Sequence, residues 1–248
     1  MSVDEAMITA AATLDRMLAD ADPATVIREA CRAVGRAHVA AVSSFGTESA
    51  VLLKYVADVD PSLPVLFLDT GWLYEETLAY RDQITARLGL RDVRSIAPAP
   101  ARLAARDPGR DLWFSDPDAC CALRKVEPLA EALAPFDAWI NGRKRYHGGE
   151  RSKLQVVEAD GLRLKFNPLA RLSPAEIAAV FRAAGLPPHP LAALGFPSIG
   201  CMPCTSRAEP DEDIRSGRWR GRAKTECGIH SAVAKAPQQP AVPADVGA

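Results

Sequence analysis

The sequence predicts an α/β protein with a doubly wound, mostly parallel sheet and helices on both faces, and three observations carry that prediction. Short apolar runs rich in Val, Leu and Ala occupy 38–43 and 64–69, the length of buried strands. Each is followed by a polar, Gly-containing turn and then by apolar residues at helical spacing. The alternation continues, with strands expected at 93–96 and 138–140 and helix between them. A parallel sheet with crossover helices requires this order.

The elements follow from local chemistry. Val3, Met7, Ile8, Ala11, Leu14 and Leu18 recur at helical spacing, and Asp22 with Pro23 supplies an N-cap and a first-turn proline for a second helix. After the first strand, Ala50, Val51, Leu53 and Val56 mark a third helix, and a fourth is expected over about 74–88. There is no internal repeat. Residues 1–231 read as one domain whose C-terminal catalytic segment covers about 205–231. Residues 232–248, rich in Ala, Pro, Gln and Val without periodicity, read as a disordered tail.

Composition narrows the class. The chain has 248 residues, 25% of them charged, and a net charge of −1, so no overall field draws it to nucleic acid or membrane. Neither a basic n-region nor a run of ~18 apolar residues is present, so a cytoplasmic protein is expected. Six cysteines in a chain of this kind point to metal binding or catalysis rather than a disulfide framework. Cys120 and Cys121 are adjacent, and Cys201 and Cys204 form a C-x-x-C pair. Four such thiols suit zinc or an iron–sulfur cluster, and spacing alone leaves both open. Cys227, flanked by Lys224 and His230, has the surroundings of a reactive thiolate, whereas Cys31 reads as a core residue.

Two loops lie where doubly wound sheets bind ligands, at the carboxyl ends of strands. Ser43, Ser44, Phe45, Gly46 and Ser49 combine hydroxyls, a glycine and a helix start, which together cradle an anion; a plain Ser-capped turn would look the same. The loop lacks the Gly-Lys-Ser/Thr ending of a Walker A motif. Leu68, Asp69, Thr70 and Gly71 put a carboxylate at the second strand end, fit either to accept from a nucleoside or to cap a helix. Two basic clusters, 141–151 with Arg143, Arg145 and Arg151, and 213–219 with Arg215 and Arg218, offer guanidinium forks to phosphate or sulfate oxygens. Solvated loops are the plain alternative.

Together, Ser44-Phe45-Gly46 with Ser49, Leu68-Asp69-Thr70-Gly71, Cys120-Cys121, Cys201-x-x-Cys204 and Lys224-Thr225-Glu226-Cys227-Gly228-Ile229-His230 resemble the assimilatory adenylyl-sulfate and phosphoadenylyl-sulfate reductases. The resemblance runs from about residue 40 to 230 and implies an adenine nucleotide alpha hydrolase-like fold. It implies a [4Fe-4S] cluster on Cys120, Cys121, Cys201 and Cys204, and adenylyl sulfate as the preferred substrate because all four thiols are present. By the same resemblance Lys125 contacts substrate beside the cluster, and Arg215 and Arg218 bind substrate. The stretch Lys144, Arg145, Tyr146, His147 departs from the family's usual wording for the arginine-rich loop. Cys227 is then the nucleophile, forming an S-sulfocysteine that thioredoxin, or a similar dithiol, cleaves to sulfite, with Lys224 and His230 helping to hold the thiolate.

The residues themselves add one demand. Neighbouring helical positions point ~100° apart, so Cys120 and Cys121 on one helix reach one centre only if that helix is distorted. Other classes remain for the structure to weigh: an ATP-dependent pyrophosphatase-loop transferase, disfavoured because Glu48 stands where an Asp is needed, and a zinc-binding interaction module. Oligomeric state and tolerance of a substrate 3′-phosphate are left open by the sequence.

Overall fold

The computed structural model describes residues 2–230; the expected tail, 232–248, lies outside the described residues. Six strands form one sheet in the order β3-β2-β1-β4-β6-β5. These are β1 (Val39–Val42), β2 (Val65–Leu68), β3 (Val93–Ile96), β4 (Ala138–Asn141), β5 (Val157–Asp160) and β6 (Arg163–Phe166). All neighbouring pairs are parallel except β5 with β6. The chain leaves β1 for β2 on one side and returns to β4 on the other, so a crevice opens at the carboxyl ends of β1 and β4.

Period-2 alternation sorts the strand side chains onto two faces. Val39, Ala41, Val65, Phe67, Ala138 and Ile140 join the larger core, against α1 (Val3–Met17), α2 (Pro23–Val34), α3 (Ser49–Val59) and α9 (Pro174–Ala183). Ala40, Val42, Leu66 and Trp139 face the other way, onto Leu129, Leu133 and Phe136 beside α8 (Glu127–Ala132). Both faces are covered, which explains why the central strands read as continuous apolar runs.

The expected helix signals are met: the Asp22 side chain accepts from the Thr25 amide at the start of α2, and α4 (Glu75–Leu88) ends on Gly89 at φ 64°. Two elements go beyond the sequence expectations. The β5–β6 hairpin adds an antiparallel edge, and α9 starts with a capping box between Ser173 and Glu176. Between β3 and β4 the chain first forms three short helices, α5 (Pro100–Arg106), α6 (Leu112–Ser115) and α7 (Pro117–Cys121). A π-helical stretch, Ala122–Val126, then joins α7 to α8. Cys120 and Cys121 thus close α7, and a helix distortion follows them directly; π segments recur at functional sites. No described helix is long and apolar enough to cross a membrane.

Candidate active site

The crevice holds a cavity of about 200 Å³. Its floor is made by strand ends: Val42 and Ser43 from β1, Leu68 and Thr70 after β2, and Asn141, Gly142 and Arg143 from β4. One wall is the first loop with Ser44, Gly46 and Ser49; the opposite wall is the chain from Pro197 to Cys201 with the C-terminal segment through His230. The loop is tightly turned. Phe45 takes φ 48°, its amide donates to Ser43 Oγ (3.2 Å), and the Gly46 amide donates to Ser49 Oγ (3.0 Å). Thr47 Oγ1 donates to the Pro197 carbonyl (2.8 Å), tying the two walls together. The α3 N-terminus has no side-chain cap and stands at the cavity, where its dipole favours an anion.

Charge defines what this cavity accepts. Six cations, Lys125, Arg143, Lys144, Arg151, Arg215 and Arg218, line it against two carboxylates, Glu48 and Glu226. Glu48 is the hub of the strand-end side. It accepts from Lys144 Nζ (2.6 Å) and Tyr146 Oη (2.6 Å) and meets His147 Nε2 at 3.0 Å. Burial pushes its pKa up, but the bonds from His147, Lys144 and Tyr146 outweigh burial and bring it down to about 2. Arg143 is held by Glu158 and donates to Asn167 Oδ1 (3.2 Å) and Asn141 Oδ1 (3.3 Å). These cations are pre-set by partners.

The opposite side is arranged differently. Lys125 is half-buried, and burial, which lowers its pKa, is outweighed by the sulfurs of Cys201, Cys227 and Cys121. Arg218 donates to the Ile199 carbonyl (3.3 Å), and its Nε is buried without a partner. Gly200 leaves room for the Arg218 guanidinium, which a Cβ at that position would push aside. Cys227 is half-buried and lines the cavity, carried between two anchors. On its N-terminal side Glu226 takes a two-pronged contact from Arg151 (2.6 and 2.9 Å) and a second ion pair from Arg215 (3.4 Å). On its C-terminal side Ile229 packs into the smaller core and the His230 ring stacks on Trp139 (5.5 Å, 4°). Burial first, and then Arg143 and Lys165, holds His230 well below the usual imidazole range, so its ring is neutral.

Cys120, Cys121, Cys201 and Cys204 line one adjoining crevice, together with Trp72, Trp113, Trp219 and Lys125. Burial pushes Cys120 up to about 11 and Cys121 up to about 12. Cys201 is lowered instead: burial raises it, but Lys125, Thr70 and Arg218 outweigh that, and Thr70 Oγ1 lies 3.2 Å from its sulfur. Among the described residues, no three His, Cys, Asp or Glu side chains are gathered closely enough for a single ion. The lining nonetheless fits a larger sulfur-rich anionic group. Four thiols face one space, Lys125 and Arg218 supply positive charge, and the indole N–H groups of Trp72 and Trp219 are buried without acceptors. The Arg124–Asp107 pair (2.6 Å, both buried) and an Arg124 bond to the Thr70 carbonyl (2.9 Å) brace the π-helical stretch against the second loop.

Thirteen residues expected at a site meet in the cavity: Ser43, Ser44, Gly46, Ser49, Leu68, Thr70, Lys125, Arg143, Arg151, Arg215, Arg218, Cys227 and His230. Five others stand outside its lining. Phe45 is fully buried and packs edge-on to Phe67 (5.4 Å). Asp69 accepts from the Gly71 amide (3.1 Å), closing its own turn, and Gly71 at φ 71° completes that turn. Arg145 donates to the Leu154 carbonyl (2.7 Å), and Lys224 pairs with Asp118. Sequence reasoning missed Glu48 and Glu226 as site carboxylates. The only available signal was a carboxylate inside each of two otherwise anion-seeking motifs.

A fold with its switch-point crevice lined by cations, an uncapped helix start and a half-buried cysteine defines an α/β enzyme class that handles a multiply charged anion. The Phosphoadenosine phosphosulfate reductase domain matches residues 38–207, and the chain belongs to that family. It is 49% identical over 227 residues to an adenosine 5′-phosphosulfate reductase of Mesorhizobium japonicum, covering 92% of this chain and 89% of the relative. A Chelativorans protein of the same name is 56% identical over 192 residues, 77% of this chain and 78% of the relative. A phosphoadenosine 5′-phosphosulfate reductase of Gloeobacter violaceus is 42% identical over 224 residues, covering 88% and 92%. Among solved structures, the phosphoadenylyl-sulfate reductase of Candida auris superimposes with a TM-score of 0.66 at 24% identity, covering 79% of this chain and 96% of that one, a likeness of fold.

Proposed function

We propose that this protein reduces adenylyl sulfate to sulfite and AMP, with Cys227 as the nucleophile. The observation that carries the reading is the placement of the Cys227 thiol in the same cavity as Lys125 and the arginines, in a chain of a reductase family. Arg151, Arg215 and Arg218 hold the phosphosulfate oxygens, and the first loop with the α3 N-terminus takes the rest of the anion. The Cys227 thiolate attacks the sulfur of the sulfate, the sulfur–oxygen bond to AMP breaks, and AMP leaves with that electron pair. Cys227 is left as S-sulfocysteine. A dithiol reductant of the thioredoxin kind then attacks the Cys227 sulfur and expels sulfite. Its second thiol resolves the mixed disulfide and returns Cys227 as thiolate.

Cys120, Cys121, Cys201 and Cys204 would hold the [4Fe-4S] cluster, which when bound supplies a charged, polarisable neighbour to the substrate site. Lys125, between those thiols and Cys227, keeps the entering sulfate and the attacking thiolate together against their mutual repulsion. The name of the Gloeobacter relative favours a second substrate reading, the 3′-phosphorylated nucleotide. Intact mass of reduced protein after incubation with either nucleotide, without thiol, separates the outcomes. One added sulfo group, absent in Cys227→Ser and greater with adenylyl sulfate, is the expected result. Greater labelling with the 3′-phosphorylated form would replace the substrate, and no labelling with either would sink the mechanism.

A further inference from the structure

The residue just before the nucleophile carries a negative charge into a cavity otherwise arranged to receive an anion. Glu226 Oε1 and Oε2 lie 2.6 and 2.9 Å from Arg151 Nε and Nη2, and Arg215 Nη2 is 3.4 Å from Oε2. The Arg215 guanidinium also donates to the Thr225 carbonyl (2.8 Å). A fork-on-fork pairing of this kind is how a guanidinium takes a carboxylate, a phosphate or a sulfate, and two arginines cannot offer the same N–H groups to both at once. Without an anion the cost of the site is plain: Arg215 is pushed down to about 10, by burial first and then by Arg151. Glu226 offsets that repulsion. Burial raises its pKa, yet Arg151 and Arg215 outweigh burial and keep it ionised.

We propose that Glu226 is a tethered stand-in for the anionic end of the substrate, occupying the Arg151–Arg215 subsite until the substrate displaces it. This rests on the reading of Cys227 as nucleophile only for its consequence, not for the competition itself. A doubly charged tetrahedral anion outcompetes a single carboxylate for paired guanidiniums, but the tether gives Glu226 a high effective concentration, so displacement lowers apparent affinity. On displacement the Glu226 anchor beside Cys227 is released, while Lys224 stays paired with Asp118 and Ile229 and the stacked His230 remain seated. Gly228, at φ 87°, is the pivot between the freed and the fixed parts. Binding of the anion and freedom of the nucleophile are thereby coupled through one carboxylate.

The test is calorimetric titration of wild-type protein, Glu226→Gln, Glu226→Ala and Glu226→Asp with inorganic sulfate. Removing the competitor tightens sulfate binding in Glu226→Gln and Glu226→Ala by about tenfold, the ~1.4 kcal/mol scale of one ion contact. Glu226→Asp, which keeps the charge, stays near wild type. Amide hydrogen exchange over 222–227 rises on saturation with sulfate in wild type and is already high, and unresponsive, in Glu226→Gln. Equal or weaker sulfate binding in Glu226→Gln and Glu226→Ala, in protein with an unchanged unfolding midpoint, overturns the proposal. Neither readout involves sulfur chemistry, so an absent sulfo adduct in the mass experiment would count against the nucleophile alone.

Discussion

The two sides of the active-site cavity are built on opposite terms. On the strand-end side each cation has a partner before any ligand arrives: Lys144 on Glu48, which also meets the His147 ring, and Arg143 on Glu158 and Asn167. On the side formed by the π-helical stretch and the C-terminal segment, Lys125 faces thiols, Arg218 has a buried N–H without an acceptor, and two indole N–H groups have none. The strand ends and the loops that leave them supply a scaffold whose electrostatics are complete on folding. Irregular elements hold groups whose partners arrive later. Positioning is therefore expected from the first side and chemistry from the second.

Substitutions order this contrast by size. Cys227→Ser, on the chemical side, should abolish steady-state sulfite release, a loss of at least ~10³-fold, while nucleotide binding persists in calorimetry. Loss of binding together with turnover would show that the cysteine is part of the scaffold. Lys125→Met should lower kcat/KM by ~10²-fold or more, the range seen when a preorganised charge is removed from a site excluded from water. A decrease confined to KM would move Lys125 to the positioning side.

Glu48→Gln tests the scaffold. The native Glu48 pKa, about 2, lies below its ordinary 4.5. A depressed carboxylate contributes stability that is fully present above the unfolded pKa and is lost as pH falls through the folded one. Denaturant midpoints of the wild type should thus fall between about pH 4.5 and pH 2, by a share on the order of 3 kcal/mol from this residue. That share should be missing from the Glu48→Gln profile. Identical profiles would mean that the network holds no net charge energy. The smallest effect belongs to a site far from the cavity: Asp22→Ala removes the α2 cap, at a cost of ~1 kcal/mol in urea, with kcat unchanged.

Legibility follows the range of the interactions. β1, β2 and β4 were readable because strands buried on both faces are continuous apolar runs, and α2 because Asp22 and Pro23 cap it locally. The β5–β6 hairpin had a local signal that went unread: Gly161 at φ 61°, the first residue of a two-residue Gly-x turn between the paired Asp160 and Arg163. Ser173, Pro174 and Glu176 marked α9 in the same way. The Cys120-Cys121 pair implied a distorted helix, and the π-helical stretch follows it directly. The roles of Glu48 and Glu226 were out of reach, because Lys144 is 96 residues from the first and Arg151 is 75 residues from the second. Nothing local distinguishes a carboxylate that will meet an arginine across the fold from one that will meet water.

The π-helical stretch has one more consequence, and it concerns chain length rather than residue type. Each such stretch holds one residue more than the α-helix it interrupts, which makes it a counting device. Deleting one residue within Ala122–Val126 would let the rod run on as a plain helix, with α7 and α8 near their present angular register because the wide turn is what absorbs the extra residue. Point substitutions here leave the count intact; a one-codon deletion would remove the wide turn between the paired thiols and α8 in a single step.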